Sequence, residues 1–306
     1  MSDAWASDQQ RVYPVYAEEG RFTPPSLDAV QALLAAYPPI PPGVWRRWVP
    51  IGLVVLALGI GLMSPPALAW LTPWPALIAA FLYVRWQAGA QQQRTSSAQR
   101  LRDLLLLRRY RDAMRLAWRT LPRMTAAPTL WAQGVGALGE ALDGVGEYPA
   151  AEACYEALTD VLPADHPLRR RLAASRATLA LRDDRLADAD DALRRARSVA
   201  TDTSPIADAE LAVATLYQRV HTHHVADGGQ LADESRPKLW ALGVAGAYGH
   251  AMAALCYRRV GRTDDAATAW DDARALLPER VIVHRYPELA ELLDAEPADA
   301  GEAATP

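Results

Sequence analysis

The chain has 306 residues, of which 51% are hydrophobic and 22% are charged, and a net charge of −4. Residues 48–84 carry no charge, residues 85–124 contain ten Arg and two acidic residues, and residues 125–306 contain eighteen basic and twenty-nine acidic residues. A basic block beside an apolar one indicates a membrane protein with a soluble domain. Because the positive charge is confined to that block, the composition argues against a nucleic-acid-binding protein.

The first 44 residues predict a mostly disordered segment with one short helix. Residues 1–24 contain four acidic residues and no apolar core, so we do not expect a signal peptide. Paired prolines flank a helical stretch over 26–36, and Ser26 is a suitable N-cap residue. This stretch is either a docking peptide or part of a disordered tail.

The 37 uncharged residues from Trp48 to Val84 are too long for one membrane helix, which would measure about 55 Å against a hydrocarbon core of roughly 30 Å. Pro65 and Pro66 break the run, because proline lacks the amide donor that a helix needs. We therefore predict a helical hairpin over residues 45–86. Its two legs, 48–63 and 67–84, either span a thin bilayer or form a wedge that enters and returns; a buried hairpin in a soluble protein is the third alternative.

The flanks of the hairpin predict its orientation. Arginines precede the first leg and follow the second, whereas the turn has none, which places both termini and the repeat domain in the cytoplasm of a cell with an inner membrane. Aromatic rings at both boundaries suit the headgroup region. The predicted membrane-interface residues are Trp45, Arg46, Arg47, Trp48, Tyr83, Arg85 and Trp86. The basic, amphipathic segment 101–124 could also lie on anionic lipid.

After a linker at 87–97, a helical pattern recurs over residues 98–292. Each recurrence is a turn followed by a helix with a small residue near its start. The marker alanines are Ala113, Ala151, Ala189 and Ala266, separated by 38, 38 and 77 residues. A fixed period of this size is typical of stacked helix pairs. Between 204 and 237 the pattern degrades: 205–224 predicts a long helix, and Asp227-Gly-Gly and Arg236-Pro237 predict a loop in place of a regular second helix.

The recurring residues resemble those of tetratricopeptide repeats over about 98–280. The last unit carries Ala254, Tyr257, Gly261, Ala266, Trp270, Ala273 and Pro278. The second carries Leu138, Gly139, Gly146, Tyr148, Ala151, Tyr155 and Pro163. The resemblance implies a solenoid of helix hairpins with a protein-binding concave face. Together with the predicted membrane hairpin that precedes it, this gives an all-α fold. The chain departs from the family in its longer period.

The resemblance also implies where a protein partner would bind. Family members often hold a peptide backbone with Asn, and this chain contains none. The concave face would instead use side chains of the first helices that suit an acidic partner segment. These residues are Arg171, Arg182, Tyr248, Arg258 and Arg259.

No motif predicts catalysis, and we expect no cofactor. Gly134-Val-Gly136-Ala-Leu-Gly139 matches a dinucleotide-binding pattern but lies in a helical repeat rather than after a strand. His221, His223 and His224 form the one metal-like cluster, with a polar helix end as the alternative. Cys154 and Cys256 lack the spacing of a zinc site and predict buried thiols.

The sequence therefore predicts a non-catalytic scaffold or assembly factor of a bacterial membrane. Two other hypotheses stay open: an accessory subunit of a larger membrane complex, and a metal-dependent enzyme at the histidine cluster. The expected partners are proteins, through acidic segments or membrane subunits, and membrane lipid. We expect the tail, 293–306, to be disordered.

Overall fold

The computed structural model describes residues 23–40, 52, 55, 74–166, 168–199, 204–224 and 227–295. Within these ranges the chain is helical and has no β-strand, which confirms the all-α prediction. Gly52 and Val55 are the described residues of the first predicted leg, and both are helical. The remainder of that leg, the proline turn and residues 296–306 lie outside the described part of the chain.

Twelve α-helices and two 3-10 helices form this part of the structure. The α-helices are α1 (Leu27–Ala36), α2 (Trp74–Leu106), α3 (Tyr110–Met124), α4 (Pro128–Val145), α5 (Tyr148–Val161), α6 (Leu168–Arg182), α7 (Leu186–Ser198), α8 (Pro205–His221), α9 (Gly228–Leu239), α10 (Gly246–Arg259), α11 (Thr263–Leu276) and α12 (Glu279–Arg285). The 3-10 helices are Trp240–Ala245 and Pro287–Ala295.

The helices belong to two compact units, residues 1–158 and 159–306. In the first unit, α3 packs against α4, and α2 contacts both. The helix α2 runs without interruption through residues 87–97, which the sequence predicts as a linker. Its apolar content ends near Trp86, but its Gln- and Ser-rich middle stays helical. The side-chain hydroxyls of Thr95 and Ser97 donate to the backbone carbonyls of Gln91 and Gln93, one turn earlier.

The short N-terminal helix forms where it is predicted and packs on the first unit. Ser26 caps α1 by accepting a hydrogen bond from the amide of Ala29 at 3.3 Å. Val30 is fully buried, and Leu33 and Leu34 are each 9% exposed. The described residues of this segment therefore do not form a free tail.

Small residues allow close helix packing in the first unit. A Cβ atom at Gly139 would lie 2.7 Å from the Tyr155 ring, which places α4 directly against α5. At the end of α4, Gly146 adopts a left-handed conformation with φ of 90°, which terminates the helix at little steric cost.

The second unit contains three successive helix pairs, α6–α7, α8–α9 and α10–α11. The helices of each pair contact each other, and the first helices also contact one another in the order α6, α8, α10. Leu216 and Leu255 are fully buried in the core between these helices.

One prediction in this unit is wrong. Residues 228–239 form α9, not a loop, so the second helix of that pair is present. Gly228 and Gly229 serve packing: a Cβ atom at Gly228 would lie 3.5 Å from that of Cys256, and one at Gly229 would lie 3.1 Å from Val260. Tertiary contacts outweigh the low helix propensity of these glycines.

Candidate functional site

The predicted binding residues lie on the first helices of the second unit, but they do not all take part in one site. Arg171, on α6, forms a bidentate ion pair with Glu210 of α8, with N–O distances of 2.6 and 2.7 Å. Its guanidinium charge is thereby neutralised within the fold. Arg171 links two first helices and is set apart from the site described next.

The other four residues contact the end of the described chain. We call residues 286–295 the C-terminal strap; they comprise Tyr286 and the 3-10 helix Pro287–Ala295. The Tyr286 ring is 5% exposed. The guanidinium carbon of Arg182 lies 4.7 Å from its centroid, a cation–π contact.

Two tyrosines of the first helices complete the pocket around Tyr286. The ring centroids of Tyr217, on α8, and Tyr248, on α10, lie 4.8 and 5.3 Å from the centroid of Tyr286. Both pairs have edge-to-face geometry, the arrangement that aromatic quadrupoles favour. Tyr286 is therefore held by one cation–π contact and two edge-to-face aromatic contacts.

A second position of the strap accepts hydrogen bonds from α8. The Tyr217 hydroxyl donates to Glu288 Oε1 at 3.1 Å, and His221 Nδ1 lies 3.0 Å from the same oxygen. The other ring nitrogen of His221 lies 2.8 Å from a carboxylate oxygen of Asp184. Burial, reinforced by the charge of Glu288, raises the pKa of Tyr217 and keeps its hydroxyl a donor.

A third position joins the strap to α10. Arg259 donates to both carboxylate oxygens of Glu291, with N–O distances of 2.6 and 3.3 Å. This hydrogen bonding lowers the pKa of Glu291. Arg258 donates to the backbone carbonyl of Glu291. Between these polar positions Leu289 is fully buried.

We call this surface the cationic–aromatic face; it consists of Arg182, Tyr217, His221, Tyr248, Arg258 and Arg259. It binds an aromatic ring and two carboxylates spaced along a short segment. Four of its six residues are among the predicted partner-binding residues; Tyr217 was not predicted, and His221 was considered only as a metal ligand. It also missed the strap residues, because nine residues in a 3-10 helix have no α-helical period. The one available signal was the acidic character of residues 286–295 beside predicted arginines.

The histidine cluster does not assemble into a metal site. His221 contacts Asp184 and Glu288, whereas His223 and His224 are exposed, and His223 adopts a φ of 52°. In the part of the chain that the structure describes, no group of three or more His, Cys, Asp or Glu side chains could hold a metal ion.

The glycine motif that matches a dinucleotide-binding pattern, residues 134–139, lies inside α4. Two of its glycines pack against neighbouring side chains. A Cβ atom at Gly134 would lie 2.7 Å from the sulfur of Met124, and the Tyr155 ring covers Gly139. No strand precedes the motif, since residues 110–124 form α3.

The first part of α2 presents a second surface. Its large apolar side chains are exposed: Trp74, Leu77, Ile78, Phe81, Leu82, Val84 and Trp86, with exposures from 41 to 69%. Arg85 is exposed, and the rings of Tyr83 and Trp86 lie 6.3 Å apart. The interface residues predicted at positions 45–48 lie outside the described residues.

Among the described residues, one continuous helical stretch, Gly228–Arg259, has the length and apolar content to cross a membrane. It comprises α9, the 3-10 helix and α10, and it is broken at Gly243, where φ is 56°. Residues 246–257 include Met252 and Leu255, which are fully buried in the core of the second unit. Length and composition alone are weak grounds for a membrane span, because the core helix of a soluble domain meets the same criterion.

Comparison with known proteins returned no relative: no family model matches the chain, and neither a curated protein nor a solved structure is significantly similar to it.

Proposed function

We propose that the chain is a non-catalytic, membrane-anchored scaffold or assembly factor that binds an acidic segment of a protein partner. The observation that supports the proposal is the cationic–aromatic face, which contacts the chain's own acidic C-terminal strap: Arg259 and Tyr217 donate to its carboxylates, and Arg182 lies against its Tyr286 ring. Charge-assisted hydrogen bonds and an aromatic pocket are the means by which proteins recognise such segments.

A solenoid related to tetratricopeptide repeats is the architecture that we propose for this function. Its support is the order of contacts between first helices, α2 with α4 in one unit and α6, α8 and α10 in the other. The marker residues Ala113, Ala151 and Ala189 are fully buried, and Ala266 is 7% exposed. In α9, Ala232 is the fifth residue rather than the fourth, and it is also fully buried. Small residues at these positions let paired helices approach closely.

Membrane anchoring is supported by the exposed apolar surface of α2. Contiguous exposed apolar surface indicates a membrane or protein contact. Described residues on either side of the uncharged stretch contact the same compact unit: the amide of Ile40 donates to the carbonyl of Thr125 at 2.8 Å, and Leu101 is 1% exposed. Flanking segments held on one unit fit a hairpin with both ends on one side of the bilayer. The arginines of 85–124 then favour the cytoplasmic side and contact with anionic lipid.

Membrane extraction tests the anchor. We expect the wild-type protein to remain in the membrane pellet after carbonate extraction. Replacing Ile78 and Phe81 with Arg should release it, because an arginine at mid-membrane costs about 2.5–3.5 kcal/mol in helix insertion. The matched control replaces Gln91 and Gln92, exposed residues of the same helix, with Arg. Extraction of the wild type would contradict the anchor. Labelling of Ser64→Cys from outside the cell would distinguish a span from a wedge.

Co-purification tests the scaffold. Tagged protein from mildly solubilised membranes should co-elute with a soluble partner that is lost in Arg182→Ala/Arg259→Ala. Retention of every co-eluting protein by that variant would contradict partner binding at this face.

An accessory subunit of a larger membrane complex is the alternative. It is favoured by the exposure of apolar residues on several sides of α2, including Leu77, Phe81 and Trp86, which suits packing against other membrane helices. In that case stoichiometric membrane subunits should co-elute, and an unrelated hairpin should not restore the assembly.

A further inference from the structure

The C-terminal strap contacts each first helix of the second unit. Tyr286 lies against Arg182 of α6, Glu288 against Tyr217 of α8, and Glu291 against Arg259 of α10. The strap thus covers the surface that we propose for partner binding, and this inference rests on that function.

The chemistry of the strap is that of a ligand segment. It has an aromatic ring, a carboxylate two residues later and a second carboxylate five residues later, each matched by a group on the cationic–aromatic face. Leu289, between the two carboxylates, and Leu292, directly after the second, are 0 and 7% exposed and supply apolar contact. Residues 296–306 add three acidic residues to the same end of the chain.

The strap is attached in a way that allows exchange. It is the last described element, so its release requires no other described helix to move. The Glu291 side chain is 49% exposed, so water reaches its ion pair with Arg259, whereas the Glu288 side chain is 23% exposed and its contact with His221 is partly buried. An exposed pair such as Arg259–Glu291 contributes little free energy and exchanges readily with a competing carboxylate.

We infer that residues 286–295 are an intramolecular ligand that occupies the cationic–aromatic face until a partner displaces it. The partner segment carries the same pattern, an aromatic residue followed by carboxylates two and five positions later, flanked by apolar residues. Only molecules with an uncovered face bind the partner. The apparent affinity for the partner is therefore the intrinsic affinity multiplied by the uncovered fraction.

A peptide titration tests the inference in the full chain. The probe is a fluorescent peptide of residues 284–298, and binding is followed by anisotropy. In Tyr286→Ala/Glu288→Gln/Glu291→Gln the face is uncovered, and we expect the peptide to bind at least tenfold more tightly than to the wild type. Adding Arg182→Ala and Arg259→Ala should abolish that binding. A peptide with the three strap substitutions is the matched control and should not bind. Equal binding of the probe to the wild type and a folded strap variant would overturn the inference.

Hydrogen exchange of the unmodified protein gives a second test that does not depend on the folding of a variant. We expect the strap amides to exchange at least tenfold faster than those of α8 and α10, because the strap opens without global unfolding. Addition of excess unlabelled peptide should accelerate strap exchange further. Strap amides as slow as those of α10, with or without peptide, would identify the strap as a fixed core element and overturn the inference. Neither readout uses a membrane or a cellular partner, so a failure here is distinguishable from a failure of the proposed scaffold function.

Discussion

The indole Nε1 of Trp131, in α4, donates a hydrogen bond at 2.8 Å to the backbone carbonyl of Tyr37, which lies 94 residues earlier in the chain. Trp131 is 2% exposed. This bond fixes the end of the N-terminal segment, just after α1, to the first compact unit. A second bond, from the amide of Ile40 to the carbonyl of Thr125, holds the chain on the same unit a few residues before the predicted hairpin.

Replacing Trp131 with Phe should reveal the contribution of this attachment. The change leaves the Tyr37 carbonyl without its donor and removes part of a buried ring, so we expect a loss of about 1–3 kcal/mol in the free energy of unfolding. Urea unfolding in mild detergent measures it. Trp74→Phe, at a side chain that is 59% exposed, is the control and should change stability by less than about 0.5 kcal/mol. Equal effects of the two substitutions would mean that the bond is not a stabilising link.

Replacing either of two glycines of α4 with alanine should change the stability of the protein, but in opposite directions. A Cβ atom at Gly144 would lie 2.3 Å from the Tyr110 ring, whereas one at Gly136 would meet its nearest neighbour, Leu158, at 3.8 Å. Gly144→Ala should destabilise the protein by about 1–3 kcal/mol through overpacking. Gly136→Ala should stabilise it by up to about 1 kcal/mol, because alanine has the higher helix propensity. Thermal unfolding distinguishes them; stabilisation by both would show that Tyr110 is not confined against α4.

The two cysteines should be inert in the folded protein. Cys154 is fully buried and Cys256 is 4% exposed, and burial raises their pKa values to about 12 and about 11. Because the thiolate is the reactive species, neither thiol should react with a disulfide reagent at mildly alkaline pH until denaturant is added. Ala187→Cys, at an exposed position of α7, is the positive control and should react at once. Rapid native labelling of either natural cysteine would contradict the packing described for it.

A buried histidine should make stability depend on pH. His250 is fully buried against Trp240, with ring centroids 4.6 Å apart, and among the described residues neither of its ring nitrogens has a hydrogen-bond partner. Burial lowers the pKa of His250 below 6.5, with the charge of Asp272 opposing the shift and that of Arg236 adding to it. Below pH 6.5 the unfolded state therefore binds a proton that the folded state does not, and stability falls as the pH falls through the folded pKa.

Urea unfolding at several pH values measures this dependence. The loss of stability between about pH 7.5 and pH 5 should be smaller in His250→Leu than in the wild type, because the leucine variant has no proton to bind at this position. His224→Leu, at an exposed histidine, should retain the wild-type dependence. Parallel curves for the wild type and His250→Leu would contradict the assignment of the dependence to His250.

Local signals in the sequence determined much of the helical framework. Ser26 predicted the start of α1, since its side chain can accept a bond from an amide of the first turn. The alanine markers predicted the second helices of the pairs other than α9, since only small residues fit where two helices cross closely. Both signals depend on neighbours within one or two turns, so a single chain displays them.

Only the tertiary structure decided the features that depend on distant partners. Gly228 and Gly229 carry the composition of a loop, but packing against Cys256 and Val260 makes them the start of α9. The arginines of the first helices were evident as a basic surface, yet their pairing depends on which chain segment reaches them. Arg171 binds Glu210, 39 residues away, and Arg259 binds Glu291, 32 residues away. Charge and helical period place a side chain on a face, whereas the path of the folded chain selects the group that meets it.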